Sequence, residues 1–150
     1  MRNADPEEGA RLGTLQSLHD ASTIRQFERL GVAPGWRCAE LGAGAGSVAR
    51  WLSDTVGDSG SVTAIDRDTS LLADLGTRPN VSVVEGDLMT MSFGSSCFDL
   101  VHSRSVLMHV EDADTVVEHL VPALRPGPGT LSVFPGPSAR RHNGGAEVRQ

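Results

Sequence analysis

The chain has 150 residues, 39% of them hydrophobic and 21% charged, which is a length for one domain and a composition in the ordinary globular range. Its formal net charge of −6 speaks against a sequence-independent grip on nucleic acid. No apolar run approaches the roughly 20 residues that span a bilayer, and the polar, acidic residues 1–8 lack the apolar core of a secretory signal, so a cytoplasmic location is expected.

Asp5-Pro6-Glu7-Glu8 reads as a helix start, with a capping carboxylate, proline in the first turn and glutamates at the positive end of the dipole. Leu12, Leu15 and His19 follow at helical spacing. Asp20 reads as a second cap before Ile24, Phe27 and Leu30, with Gly31 as a left-handed stop, so two leading helices are expected. From Trp36 onward short apolar strands are expected at 36–41, 61–65, 81–84, 98–102 and 130–134. The helices between them are read from Val48, Trp51, Leu52 and Val56, then from Leu71, Leu72 and Leu75, then from Val116, Val117, Leu120 and Leu124. Pro122 should kink or shorten the last of these. Such alternation predicts the α/β class, a mainly parallel sheet covered on both faces.

Residues 135–150 are rich in proline, glycine and arginine without apolar periodicity, and are expected to be a disordered tail after a domain at 1–134. All thirteen basic residues are arginine. Cys38 and Cys97 both lie in strand-like apolar segments, which suits buried free thiols, and no close set of histidine, cysteine and carboxylate has the spacing of a metal site.

The run Glu40-Leu41-Gly42-Ala43-Gly44-Ala45-Gly46 ends the first strand and opens a helix, the place where α/β sheets bind ligands. Alternate glycines allow a sharp bend and close backbone approach, and the N–H groups of the helix start can meet a carboxylate. Glu40 at the strand end can answer an ammonium group, so an amino-acid-like ligand fits the pair. Taken alone, the glycines need do no more than make a tight turn. Asp66 ends the second strand 20 residues beyond Gly46, where it can accept from both hydroxyls of an adenosine ribose or cap the following segment. Asp87, after the third strand, suits the exocyclic amine of adenine, with Leu88 offering an N–H and an apolar surface; a plain turn residue is the alternative. Phe98-Asp99-Leu100-Val101-His102-Ser103-Arg104 brings polar residues to the same sheet edge.

In order and spacing, residues 38–46, Ala64-Ile65-Asp66, Glu85-Gly86-Asp87-Leu88 and the run from Phe98 to Arg104 resemble the motifs of the class I S-adenosylmethionine-dependent methyltransferases, and Leu124-Arg125-Pro126-Gly127 resembles the turn before that family's fifth strand. The resemblance covers residues 14–134. It implies a Rossmann-like three-layer sandwich, with about five strands present of the usual seven, and a pocket for S-adenosyl-L-methionine lined by Glu40, Gly42, Gly44, Gly46, Asp66, Arg67, Asp87, Leu88 and Ser103.

The sulfonium of that cofactor is an activated methyl donor, so alignment of an acceptor matters more than a catalytic base. His102, His109 and Glu111 fall near the expected reaction edge, His109 being expected to pack with Val106 and Val110, and no catalytic residue is assigned. The family's last helix and final pair of strands, one of them antiparallel, find no counterpart in the sequence pattern, so the domain is expected to be incomplete at its C-terminal end. Three readings stay open. They are methyl transfer to a small-molecule acceptor, a cofactor-binding remnant without turnover or needing a partner chain, and a nicotinamide-dependent oxidoreductase. Ser47 stands where the last of these would place its third glycine.

Overall fold

The structure, a computed structural model, describes residues 6–134 and 146–149. A single helix, α1 (Pro6–Leu30), leads the chain in place of the expected two. Asp20 does not cap a second helix, because its carboxylate accepts instead from Arg104 Nη2 at 3.0 Å, a contact distant in sequence. α1 stops where the pattern predicts. Gly31 takes φ +80°, its N–H donates to Glu28 O, and the Val32 N–H donates to Phe27 O, so two otherwise open carbonyls of the last turn are satisfied.

The sheet then forms from β1 (Arg37–Leu41), β2 (Ser61–Asp66), β3 (Val81–Glu85), β4 (Leu100–Arg104) and β5 (Thr130–Phe134), with α2 (Ser47–Val56) after β1 and α3 (Ala113–Leu120) before β5. β6 (Ala146–Arg149) completes it, and the spatial order is β3-β2-β1-β4-β5-β6. The first five strands are mutually parallel, while β6 runs antiparallel to β5.

The strand at 146–149 departs from the expected disordered tail. One edge of β5 is taken by β4, and the other is a row of open N–H and C=O groups that a short segment can pair with. The sheet therefore has six strands among the described residues rather than five, the sixth being antiparallel. The rest of the expected tail, 135–145 and Gln150, lies outside the described residues.

Helices cover the sheet on two sides, so the inner strands β1 and β4 are buried on both faces, while the edge strand β3 is only partly buried. One core layer gathers Phe27 of α1 and Val48, Leu52 and Val56 of α2 against Cys38, Val62, Ala64 and Leu100. The other packs Val116 and Leu120 of α3 against Leu41, Ile65, Val101 and Leu131. The helix expected around Leu71 to Leu75 is reduced to turns and a 3₁₀ segment (Leu75–Thr77). Asp66 and Asp68 side chains capture the N–H groups two residues on, at 3.1 and 3.0 Å, which competes with helical pairing. Leu72 and Leu75 still reach the core from these turns. α3 ends at Leu120 and gives way to a 3₁₀ turn containing Pro122, as the proline requires.

The fourth strand starts at Leu100, two residues later than expected. Phe98 makes only an isolated bridge to Leu124, and Asp99 turns its side chain to accept from the Arg37 N–H at 2.7 Å and from Arg125 Nη1 at 2.6 Å. Cys97 accordingly lies outside any strand and is half-buried, while Cys38 is fully buried in β1; both thiols are free.

Candidate cofactor and active site

The five parallel strands end at the same edge of the sheet, and the residues singled out by sequence collect at the ends of the first four. The loop after β1 folds onto the end of β2: the N–H groups of Gly42 and Ala43 both donate to Ile65 O, at 2.7 and 3.0 Å, and the Gly44 N–H donates to Asp66 Oδ2 at 2.8 Å. Gly42 adopts φ +69°, and a Cβ there would lie 2.1 Å from Val106 Cγ2, so any side chain at this position would be strained and would force Val106 to move. α2 begins with Gly46 as its N-cap and no side-chain cap, which leaves the positive end of the helix facing the loop.

Asp66 accepts from the Gly44 N–H and, through Oδ1, from the Asp68 N–H. Each carboxylate oxygen has a second lone pair, so the residue can still meet a hydroxyl. Asp87 accepts the Met89 N–H at 2.9 Å and lies 3.3 Å from Arg67 Nη2. With side chains 76% and 42% exposed, that Arg67–Asp87 pair holds loosely. The Leu88 side chain is buried with Leu41 and Ile65 in the α3-side core, rather than left as an open apolar surface. Ser103 is buried at the end of β4, and its Oγ has no hydrogen-bond partner among the described residues.

Glu40 is not an open carboxylate. It is 4% exposed, and its Oε2 lies 2.5 Å from Nδ1 of His102, which is fully buried. His102 also stands edge-on to Phe27, with ring centroids 4.8 Å apart. It cannot serve as a proton acceptor for a substrate at the surface, the role for which its sequence position made it a candidate. His109 differs in the opposite sense: it is exposed in a 3₁₀ turn (Leu107–His109) rather than packed, because Val106 and Val110 on either side turn to the core without it. Glu111 is exposed as well, and Met108 beside His109 is 46% exposed. The same strand end is tied to α1, where Arg104 donates to Asp20 and to Thr23 Oγ1, each at 3.0 Å.

Cys38 precedes Glu40 by one pleat on the same face of β1. Burial, with the Asp99 and Glu40 carboxylates adding to it, pushes its thiol up to about 12. Among the described residues no group of three histidine, cysteine or carboxylate side chains is placed to hold a metal ion, and no helix is long and apolar enough to cross a membrane.

Comparison with known proteins agrees with this geometry. The family described as methyltransferase domain matches residues 39–132. A ubiquinone/menaquinone biosynthesis C-methyltransferase from Shewanella sediminis is 30% identical over 108 residues, which cover 67% of this chain and 43% of that protein. The chain spans about half the length of the curated relatives it matches. An S-adenosylmethionine-dependent methyltransferase from Aquifex aeolicus shares the fold with a TM-score of 0.74, at 21% identity over 93% of this chain and 77% of its own. Phosphoethanolamine N-methyltransferase 2 of Haemonchus contortus, solved with phosphomonomethylethanolamine and S-adenosylhomocysteine, matches 75% of this chain and 27% of its own at 26% identity and a TM-score of 0.65. With the family match covering more than half of the chain, and the glycine loop and strand-end carboxylates at one sheet edge, this chain belongs to the methyltransferase-domain family, the class I S-adenosylmethionine-dependent methyltransferases.

Proposed function

We propose that this chain binds S-adenosylmethionine at the β1–β4 edge and transfers its methyl group to a small-molecule acceptor. The observation that carries the reading is the convergence of Glu40, the glycine loop, Asp66 and Asp87 on one end of a parallel sheet. Their chemistry suits each part of the cofactor. Glu40 answers the ammonium group, the α2 start the carboxylate, Asp66 the ribose hydroxyls and Asp87 the adenine amine. The buried hydroxyl of Ser103, without a partner among the described residues, supplies one further donor and acceptor at that edge.

When bound, the cofactor supplies an already activated methyl group, so the protein's task is to bind, orient and exclude water. Exposed Met108, in the turn after β4, offers an apolar contact to an acceptor arriving there. An acceptor related to quinone precursors is in keeping with the names of the relatives. The two free thiols suit a reducing, cytoplasmic setting.

Titration calorimetry with S-adenosylhomocysteine tests the binding half, and saturable binding is expected. No binding by a demonstrably folded sample, or saturable binding of a nicotinamide dinucleotide instead, would overturn it. Methyl transfer to a panel of small-molecule acceptors tests turnover. Tight binding with no transfer to any acceptor would identify a cofactor-binding unit that lacks activity or needs a partner chain.

A further inference from the structure

Glu40 and His102 stand opposite each other on neighbouring strands, in register, and Ser132 of β5 continues the same row. With the Glu40 carboxylate ionised, and therefore acceptor only, the 2.5 Å contact requires a proton on Nδ1 of His102. The ring has little freedom to leave. It is 0% exposed, flanked by strands on both sides, and braced by the edge contact with Phe27 of α1. A charge-assisted hydrogen bond between two side chains on separate rigid strands holds one carboxylate oxygen in place and leaves the other for a ligand.

We infer that His102 is a positioning residue for the cofactor: its Nδ1–H fixes Glu40 in the orientation that receives the ammonium group at the mouth of the glycine loop. The inference rests on the reading of Glu40 as the ammonium acceptor. It removes His102 from the list of candidate bases and gives it a task at the amino-acid end of the cofactor alone. A merely structural histidine would instead support the whole sheet edge, and its loss would weaken every ligand to the same degree.

The ratio of affinities for S-adenosylhomocysteine and for its analogue with the ammonium group replaced by hydrogen separates the two roles. Three variants are read against the wild-type chain. His102→Asn keeps an N–H close to the Nδ1 position, His102→Gln moves it toward the Nε2 position, and Glu40→Gln removes the acceptor charge. Wild type is expected to prefer the ammonium-bearing ligand by about tenfold or more, the range of a charge-assisted hydrogen bond. H102Q and E40Q should lose most of that preference with the analogue's affinity unchanged within about twofold, whereas H102N should retain it. Thermal unfolding of each variant establishes that it is folded. An equal loss for both ligands in H102Q, or no difference between H102N and H102Q, overturns the inference while leaving the Glu40 reading intact. A wild-type chain without preference between the ligands overturns the Glu40 reading, and this one with it.

Discussion

Replacing Gly42 by alanine tests how tightly the glycine loop is built. Two separate penalties meet at this position. An L-residue held at φ +69° costs about 1–2 kcal/mol against the left-handed region. The added Cβ would also lie 2.1 Å from Val106 Cγ2 and 3.1 Å from its Cβ and Cγ1, well inside carbon contact distance, so Val106 must move. Displacing a packed side chain costs about 1–3 kcal/mol, giving about 2–5 kcal/mol in all. Gly31→Ala isolates the first penalty, because Gly31 has φ +80° but a Cβ added there would meet nothing within 4 Å, and it should cost only about 1–2 kcal/mol. Urea denaturation of G31A, G42A, V106A and the double variant G42A/V106A reads these differences. Shortening Val106 should recover about 1–3 kcal/mol of the G42A loss as a favourable coupling. The reasoning fails if G42A costs no more than G31A, or if the V106A and G42A effects simply add.

Cys38 makes alkaline stability predictable. Its folded thiol titrates near 12 against an ordinary 9.0, so the stabilisation is complete below pH 9 and is lost as pH rises toward 12, at up to about 1.4 kcal/mol per pH unit. The chain has neither tyrosine nor lysine to obscure that window. Denaturant midpoints at pH 8 and pH 10.5 should therefore diverge in the wild type and much less in Cys38→Ala; equal pH dependence in both would refute the assignment. Asp99→Asn should cost about 2 kcal/mol in the same assay, since the buried carboxylate receives charge-assisted bonds from the Arg37 N–H and Arg125 Nη1. A loss under about 0.5 kcal/mol would show that the pair contributes little. Ser103→Ala should leave stability within about 0.5 kcal/mol, because its hydroxyl has no partner to lose among the described residues, yet weaken S-adenosylhomocysteine about fivefold, the value of one neutral hydrogen bond. A destabilised variant with unchanged affinity would reverse that assignment.

Much of the fold is legible in local pattern. The apolar runs at β1, β2, β3 and β5, the 3.6-residue spacing of α2 and α3, and the stops at Gly31 and Pro122 are properties of neighbouring residues, so they appear in the linear order. The failures share one cause. Asp20 has every local mark of a helix cap, but its carboxylate is claimed by Arg104, 84 positions away. β6 has no pattern of its own strong enough to mark it, and the open edge of β5 supplies its reason to exist.

The candidate site divides in the same way. Which residue types stand at the strand ends, and therefore the class of ligand they suit, was already determined by the order Glu40, glycine loop, Asp66, Asp87 along the chain, because right-handed parallel crossovers bring successive strand ends to one edge. What those side chains face was decided only by the folded molecule. The parallel register of β1 with β4 sets Glu40 against His102, the α1 packing buries that histidine, and the turn after β4 lays Val106 over Gly42. These contacts join segments more than 60 residues apart, and their existence depends on register and helix placement, which the burial of two whole core layers determines together rather than any one stretch of sequence.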